Sequence, residues 1–302
     1  MPPWEKREAS GTCTGRLRST QYSNINFRTN GGFSHYNALN ARMEMRNFQR
    51  KGLTLRANYT WSHAIDNLSN TFSETVTGVG NLGLLDPLHP GLDKGSADFD
   101  VRHRFTLAAI YDLPYKGKNA VTKAALGGWR VIPNLILRTG TPFTLWDSTN
   151  EAYALAPRAM YDTPFKATYT NKSTGNPNEF NYLSVGTPDS NYVNALAGVS
   201  DFGPFPATMT GRNVFVEPGN WSVDLSIHKE FSFTERYKLQ FRAEAYDVLN
   251  HSNLYLVGSN TDVSGTDFAT VTRGVRADNT SVSGAVATND RRTLQLALKL
   301  IF

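Results

Sequence analysis

Residues 291–302 read RRTLQLALKLIF, and from Thr293 onwards the chain alternates without a break. Leu294, Leu296, Leu298, Leu300 and Phe302 take every second position, with Thr293, Gln295, Ala297 and Lys299 between them. In an extended chain successive side chains point to opposite faces. One face of this strand is therefore leucine and phenylalanine, and the other is mostly polar. A soluble sandwich would turn the first face to a core and the second to water. A strand of a membrane barrel carries the same pattern, with lipid in place of the core. The rest of the chain has to decide between them.

The same rhythm recurs upstream. Leu39, Ala41, Met43 and Met45 alternate with Asn40, Arg42, Glu44 and Arg46. Leu53, Leu55, Ala57, Tyr59 and Trp61 alternate with Thr54, Arg56, Asn58, Thr60 and Ser62. Further apolar faces are Phe105 to Leu113, Trp129 to Leu137, Trp221 to Ile227 and Tyr237 to Ala245, each taken at every second residue. With the terminal strand this makes roughly seven strands of about ten residues, the length a tilted bilayer-spanning strand needs. Pro133 interrupts one of them, since proline cannot donate to a ladder. Leu55 and Leu239 are expected to face lipid, and Arg56 and Arg242 a wet interior.

Composition agrees with an all-β membrane protein and excludes others. The 302 residues are 40% hydrophobic, 12% aromatic and 19% charged. No apolar run approaches the roughly 18 residues that a spanning helix takes, a test that strands escape because only alternate residues meet lipid. Cys13 is the single cysteine, so an internal disulfide and a cysteine metal cluster are excluded. The net charge of +5 is spread singly along the strands and not gathered in a patch, which argues against a nucleic-acid partner. The opening MPPWEKREASG lacks the apolar stretch of a signal peptide, so an export signal is expected to be missing from this sequence.

The connections sort by length. NFQRKG, KGKNAVTKAALGG and SFTER are short, whereas Asp66 to Asp100, Thr141 to Gly219 and His251 to Asp290 are long. Outer-membrane barrels have short turns on the periplasmic side and long loops outside. A sandwich has no reason to segregate its loops in this way. Tyr59, Trp61, Trp129, Trp221 and Tyr237 stand at strand ends, where aromatic rings suit the boundary between lipid and water.

Few motifs suggest chemistry. GVGNLG, Gly78 to Gly83, has the spacing of a dinucleotide loop, but LLDPLHPG follows it, with two prolines where a helix is required. Asp86, His89, Asp93, Asp98, Asp100 and His103 are close in sequence and could hold a metal, or could pair with Arg102 and Arg104. Their spacing fits no known metal loop. No G-x-S-x-G elbow is present, and the six histidines are scattered. We expect no catalytic, cofactor-binding or metal residues, and no enzyme activity.

Taken in order, HYNALNARMEMRNFQRKGLTLRANYTWSHAIDN, DFDVRHRFTLAAIYDLPYKG, GGWRVIPNLILRTGTPFT, HKEFSFTERYKLQFRAEAYDVLNHSN and RRTLQLALKLIF resemble the C-terminal barrel region of Oar-like TonB-dependent receptors. The resemblance implies an antiparallel transmembrane β-barrel in the cell outer membrane, of about 22 strands in the complete receptor. It also implies uptake of an unknown large substrate. TonB would act only through an N-terminal plug, which this sequence lacks, together with a TonB box and a front domain. Residues 25–302 are expected to be the C-terminal portion of such a barrel, and 1–24 a poorly patterned segment. Arg16 to Phe27 is a candidate eighth strand. The expected partners are outer-membrane lipid and the barrel-assembly machinery. Leu294, Leu296, Leu298, Leu300 and Phe302 are the candidate signal read by that machinery, since the resembled barrels commonly end on an aromatic residue and a free strand edge can be gripped by β-augmentation. Two alternatives stay open: a self-standing small barrel with a structural or adhesive role, and a soluble extracellular glycan-binding β-domain.

Overall fold

The computed structural model of the chain describes residues 30–48, 52–69, 90–115, 119–145, 158–159, 168–173, 175, 179–184, 209–234, 236–256, 261, 270–273 and 292–302. The candidate strand Arg16 to Phe27 and the GVGNLG segment lie outside these residues. Seven long strands form the main sheet: β1 (Ser34–Phe48), β2 (Leu53–Asp66), β4 (His103–Asp112), β5 (Trp129–Arg138), β10 (Asn220–Ser232), β11 (Lys238–Tyr246) and β14 (Thr293–Ile301). They pair in that order as an antiparallel meander, and β3 (Gly95–Ser96) adds to the end of β2. β1 and β14 are the two edges, so the described sheet is open.

Register carries the alternation from strand to strand. A one-residue slip would turn a whole side-chain set to the wrong face. Along the path the register shifts once, at the short-turn end of the β1–β2 pair between Met45 and Phe48. Leu39 lies opposite Trp61, and Tyr59 opposite Phe105. Phe105 in turn meets Leu137, and Leu137 meets Trp221. Ile227 lies opposite Ala243, and Ala243 opposite Leu296. One continuous apolar face results. Long side chains on it are exposed, with Leu294 and Leu296 at 70%. The buried apolar residues lie mostly elsewhere, Phe143, Leu145, Ala159 and Phe215 among them, in the connections at the long-loop end. Nothing among the described residues covers most of the apolar face, as expected where lipid covers it.

Pro133 is accommodated by a gap. β5 keeps Pro133 in register with Leu225 of β10. On its other side the β4 pairing passes from Ala108–Asn134 to Tyr111–Val131 and skips the proline. The missing N–H therefore falls on the β4 side of the strand.

At the short-turn end two glycines are sterically required. Gly52 has φ +75°, and a Cβ there would stand 2.6 Å from the Asp112 carbonyl oxygen. Gly128 has φ +70°, and its Cβ would stand 2.7 Å from the Glu230 carbonyl oxygen. Both glycines accept ladder hydrogen bonds on their own carbonyls, from the amides of Asp112 and Glu230 at 3.0 Å. The β4–β5 connection holds a feature that strand alternation does not foretell, the short helix α1 (Ala120–Leu126). Asn119 caps it, its side-chain oxygen accepting from the Thr122 amide at 2.8 Å. The helix stands beside Lys229, which occupies an apolar-face position of β10 yet is only 3% exposed. Its ammonium donates to the Gly127 carbonyl just past the helix, and lies 5.4 Å and 4.9 Å from the Trp129 and Phe231 ring centres.

The long connections carry strands of their own. β6 (Pro142–Phe143) pairs with β9 (Phe215–Val216), closing the base of the Thr141 to Gly219 stretch. β7 (Thr168–Ser173), β8 (Glu179–Ser184), β12 (Leu254–Leu256) and β13 (Thr270–Arg273) form a second sheet, which joins that connection to the next one.

The face assignment is tested at mid-strand. Leu135 lies between Leu107 and Val223, and Asn134 between Ala108 and Asp224. Leu135→Arg should cost about 2–4 kcal/mol in unfolding from lipid vesicles. Asn134→Arg should cost about 0.5 kcal/mol or less. A larger cost at residue 134 than at 135 would reverse the two faces.

Candidate functional site: the polar face and its outer rim

The second face of the sheet carries full charges, and the strand pairing brings opposite charges together. Glu44 takes hydrogen bonds from Arg42 at 2.9 Å and Arg46 at 2.7 Å, and Arg56 of β2 stands 3.6 Å away. On β5, Arg130 grips Asp112 of β4 with two nitrogens, at 2.6 and 3.2 Å. Further along, Lys238 pairs with Glu230 at 3.1 Å. Amides and hydroxyls fill the remainder, as where Asn58 donates to Thr106 at 3.3 Å and Thr60 to Asn40 at 2.8 Å. Exposed ion pairs of this kind contribute little to stability. Their chemistry suits a water-filled interior.

At the long-loop end the pairs become buried. Arg212 enters from the Thr141 to Gly219 connection and reaches β2 and the segment beyond it. Its guanidinium bonds Asp66 Oδ1 at 2.6 Å, Ser69 Oγ at 2.7 Å and Asp98 Oδ1 at 3.1 Å. Arg158, from the same connection, bonds Asp93 Oδ1 at 3.2 Å and the Leu92 carbonyl at 2.8 Å. Burial lowers the Arg158 pKa first, Arg212 lowers it further, and Asp93 opposes both. Asn213 extends the clamp, donating to the Ser96 carbonyl and Asp98 Oδ1, both at 2.6 Å. Removing one partner of such a buried pair would strand the other charge. These contacts lock two long connections together across the rim.

The acidic cluster read from sequence is taken apart by this arrangement. Asp93 and Asp98 serve Arg158 and Arg212. Asp100 accepts from the Ala64 amide at 2.8 Å and from Arg102 at 3.2 Å, with His63 Nδ1 3.0 Å away. His103 faces away from them, 2.8 Å from the Tyr59 hydroxyl on the apolar face. Asp86 and His89 lie outside the described residues. Among the described residues no three metal-ligating side chains converge. The expected pairing of this segment with Arg102 is present, while Arg158 and Arg212 went unforeseen. They stand 65 and 146 residues from the carboxylates they bind. No sequence periodicity marks them.

The candidate assembly residues sit together on the free edge. Leu294, Leu296, Leu298 and Leu300 lie opposite Ala245, Ala243, Phe241 and Leu239 of β11. Phe302 ends the row and is 82% exposed.

Below the rim Glu217 offers a pH dependence. Its carboxylate accepts from the Thr141 hydroxyl at 3.0 Å. Burial raises its pKa above the ordinary 4.5, against the lowering by Thr141 and Arg138. A carboxyl with a raised folded pKa binds more protons folded than unfolded, so this contribution weakens as pH climbs through the folded value. Exchange at the Glu217 amide, bonded to the Thr141 carbonyl at 2.9 Å, reports it. Corrected for intrinsic rates, its protection should fall as pH climbs above the ordinary carboxyl value. Glu217→Gln should flatten that fall. An unchanged profile would assign the dependence to other groups.

Residues 5–295 match a family model described as "Outer membrane beta barrel domain". No curated protein and no solved structure matches the chain.

Proposed function

Since this chain belongs to the outer membrane beta barrel domain family, an outer-membrane protein family, we propose that it forms the C-terminal wall of a TonB-dependent receptor for uptake of a large solute. The observation that carries this reading is the parity of the sheet. Among the described residues, seven strands in an antiparallel meander leave β1 and β14 running the same way. Joining those edges directly, or to the opposite edges of further copies around an axis normal to the membrane, would put a parallel pair into an antiparallel barrel. Closure therefore takes an odd number of further strands, and in lipid closure is obligatory. A wall of this width, charged on its inner face, fits a barrel wide enough to hold a plug better than a small barrel filled by its own side chains.

The resemblance supplies the TonB step. A plug would touch the polar face, so photo-crosslinkers at Arg56 and Arg242 in living cells should trap a polypeptide segment. Crosslinking to nothing but solvent, with the sheet correctly in the outer membrane, would overturn the receptor reading in favour of a self-standing structural barrel.

The terminal strand has a second role in this proposal, as the element gripped by the assembly machinery. Among the described residues β14 has a strand on one side only, and it carries five alternate apolar side chains, Leu294, Leu296, Leu298, Leu300 and Phe302. That combination supports β-augmentation. Deleting Phe302 removes one exposed ring, so stability in detergent should change by only about 1 kcal/mol. Surface levels in cells should nevertheless drop sharply. Normal surface levels would leave β14 as an ordinary last strand.

A further inference from the structure

Across the outer end of the polar face one row of side chains runs Asn40, Thr60, Arg104, Arg138 and Asn220, each opposite the next in the strand pairing. Arg104 of β4 and Arg138 of β5 are therefore direct cross-strand neighbours, with Cβ atoms roughly 4.5–5.5 Å apart. Like charges in that position destabilise a sheet. The row holds no carboxylate to offset them. The next row inwards, Arg42, Asn58, Thr106, Ile136 and Ser222, holds none either.

The carboxylates nearby are engaged elsewhere. Asp66 and Asp98 pair with Arg212, Asp93 with Arg158 and Asp100 with Arg102. Further in, Glu44 takes Arg42 and Arg46, and Asp112 takes Arg130. Asp224 accepts from the Asp247 amide at 2.9 Å, and Glu217 from the Thr141 hydroxyl at 3.0 Å. Among the described residues neither Arg104 nor Arg138 makes an ion pair. Both are exposed, so their guanidiniums meet whatever occupies the interior. Arg138 Nε donates to Asn220 Oδ1, which holds that side chain along the row and leaves its two terminal nitrogens to donate elsewhere.

Beside the pair a cavity of about 470 Å³ opens against the polar face, with Arg138, Asn220, Ser222, Asp224 and Tyr246 in its lining. Its size suits a small organic molecule. An arginine fork matches a carboxylate or a phosphate with two parallel bonds, and two forks side by side can bracket one such group. The Ser222 and Tyr246 hydroxyls and the Asn220 amide suit hydroxyl groups on the rest of the ligand. Asp224 on the same wall repels a second anionic group, so the ligand's charge belongs at the arginine end.

We propose that Arg104 and Arg138 together bind the carboxylate or phosphate of a hydroxylated organic anion, a sugar acid or a sugar phosphate, whose uncharged part occupies the cavity. The inference deepens the uptake reading by naming the chemistry of the solute. It rests on that reading only for the route by which the ligand arrives.

The test is binding of labelled D-glucuronate and D-glucose 6-phosphate to outer-membrane vesicles that carry the protein, with D-glucose as the neutral analogue. At least one anion should bind saturably, and the tighter of the two identifies the acidic group. Glucose should compete at least about tenfold more weakly. Arg104→Gln and Arg138→Gln should each weaken anion binding about tenfold or more, as loss of a charge-assisted pair does. Arg104→Lys keeps the charge without the fork and should fall between. Arg46→Gln, at the short-turn end of the same face, should leave binding unchanged. Unchanged heat-dependent gel mobility of the variants would show that they fold. Binding of neither anion (as where an acidic protein segment already fills the pair), equal binding of glucose, or no effect of the Arg104 and Arg138 variants would each overturn the proposal. An equal loss from Arg46→Gln would do the same. Vesicles from cells without TonB should bind as well as wild type, so a failure of the receptor reading would leave this result standing.

Discussion

Hydrocarbon offers nothing to a peptide N–H or C=O that has lost its partner. Each spanning strand must therefore be paired on both sides, and the whole arrangement follows from that demand. It forces the long meander, with every interior strand from β2 to β11 bonded to two neighbours. It explains the tolerance of Pro133, whose absent N–H leaves a local gap on one side and an intact ladder on the other. It also makes the free edges of β1 and β14 the two places where the described sheet is incomplete.

Once pairing is fixed, side chains decide which face is which. The two faces stay separate across the sheet, because antiparallel partners share a face and the register keeps parity everywhere except at the bulge between Met45 and Phe48. Apolar side chains there gain little from one another. Their stabilisation comes from leaving water for lipid, so the sheet needs no protein core beneath it. Among the described residues, buried apolar side chains gather mainly at the long-loop end, around Phe143, Phe215 and Leu145.

This division explains what could be read in the sequence. Alternation is local, so Leu53 to Trp61 or Leu294 to Phe302 announce both a strand and its faces within about ten residues. Loop lengths are equally plain and give the two ends of the sheet. The rim is different. Arg212 meets Asp66 and Arg158 meets Asp93 across long separations, and neither arginine belongs to a pattern. The acidic segment Asp93 to Asp100 was visible as a cluster with Arg102 beside it, but Arg158 and Arg212 were not visible as its partners. The loop strands β7, β8, β12 and β13 run three to six residues each, too short for alternation to stand out.

The lysine under α1 has a bearing on membrane thickness. Were Lys229 bare, the apolar stretch of β10 would stop at Ile227. Counted from Trp221, that is about 20 Å along the strand and about 16 Å along the membrane normal at a tilt near 40°. With the ammonium folded under the Gly127 carbonyl, the stretch runs on to Phe231. It then spans about 34 Å along the strand and about 26 Å along the normal, close to the height of a typical barrel's lipid belt. The seven-residue helix thus works as a spacer against hydrophobic mismatch: it spares the inner leaflet a local pinch that would otherwise cost fractions of a kcal/mol for every ångström.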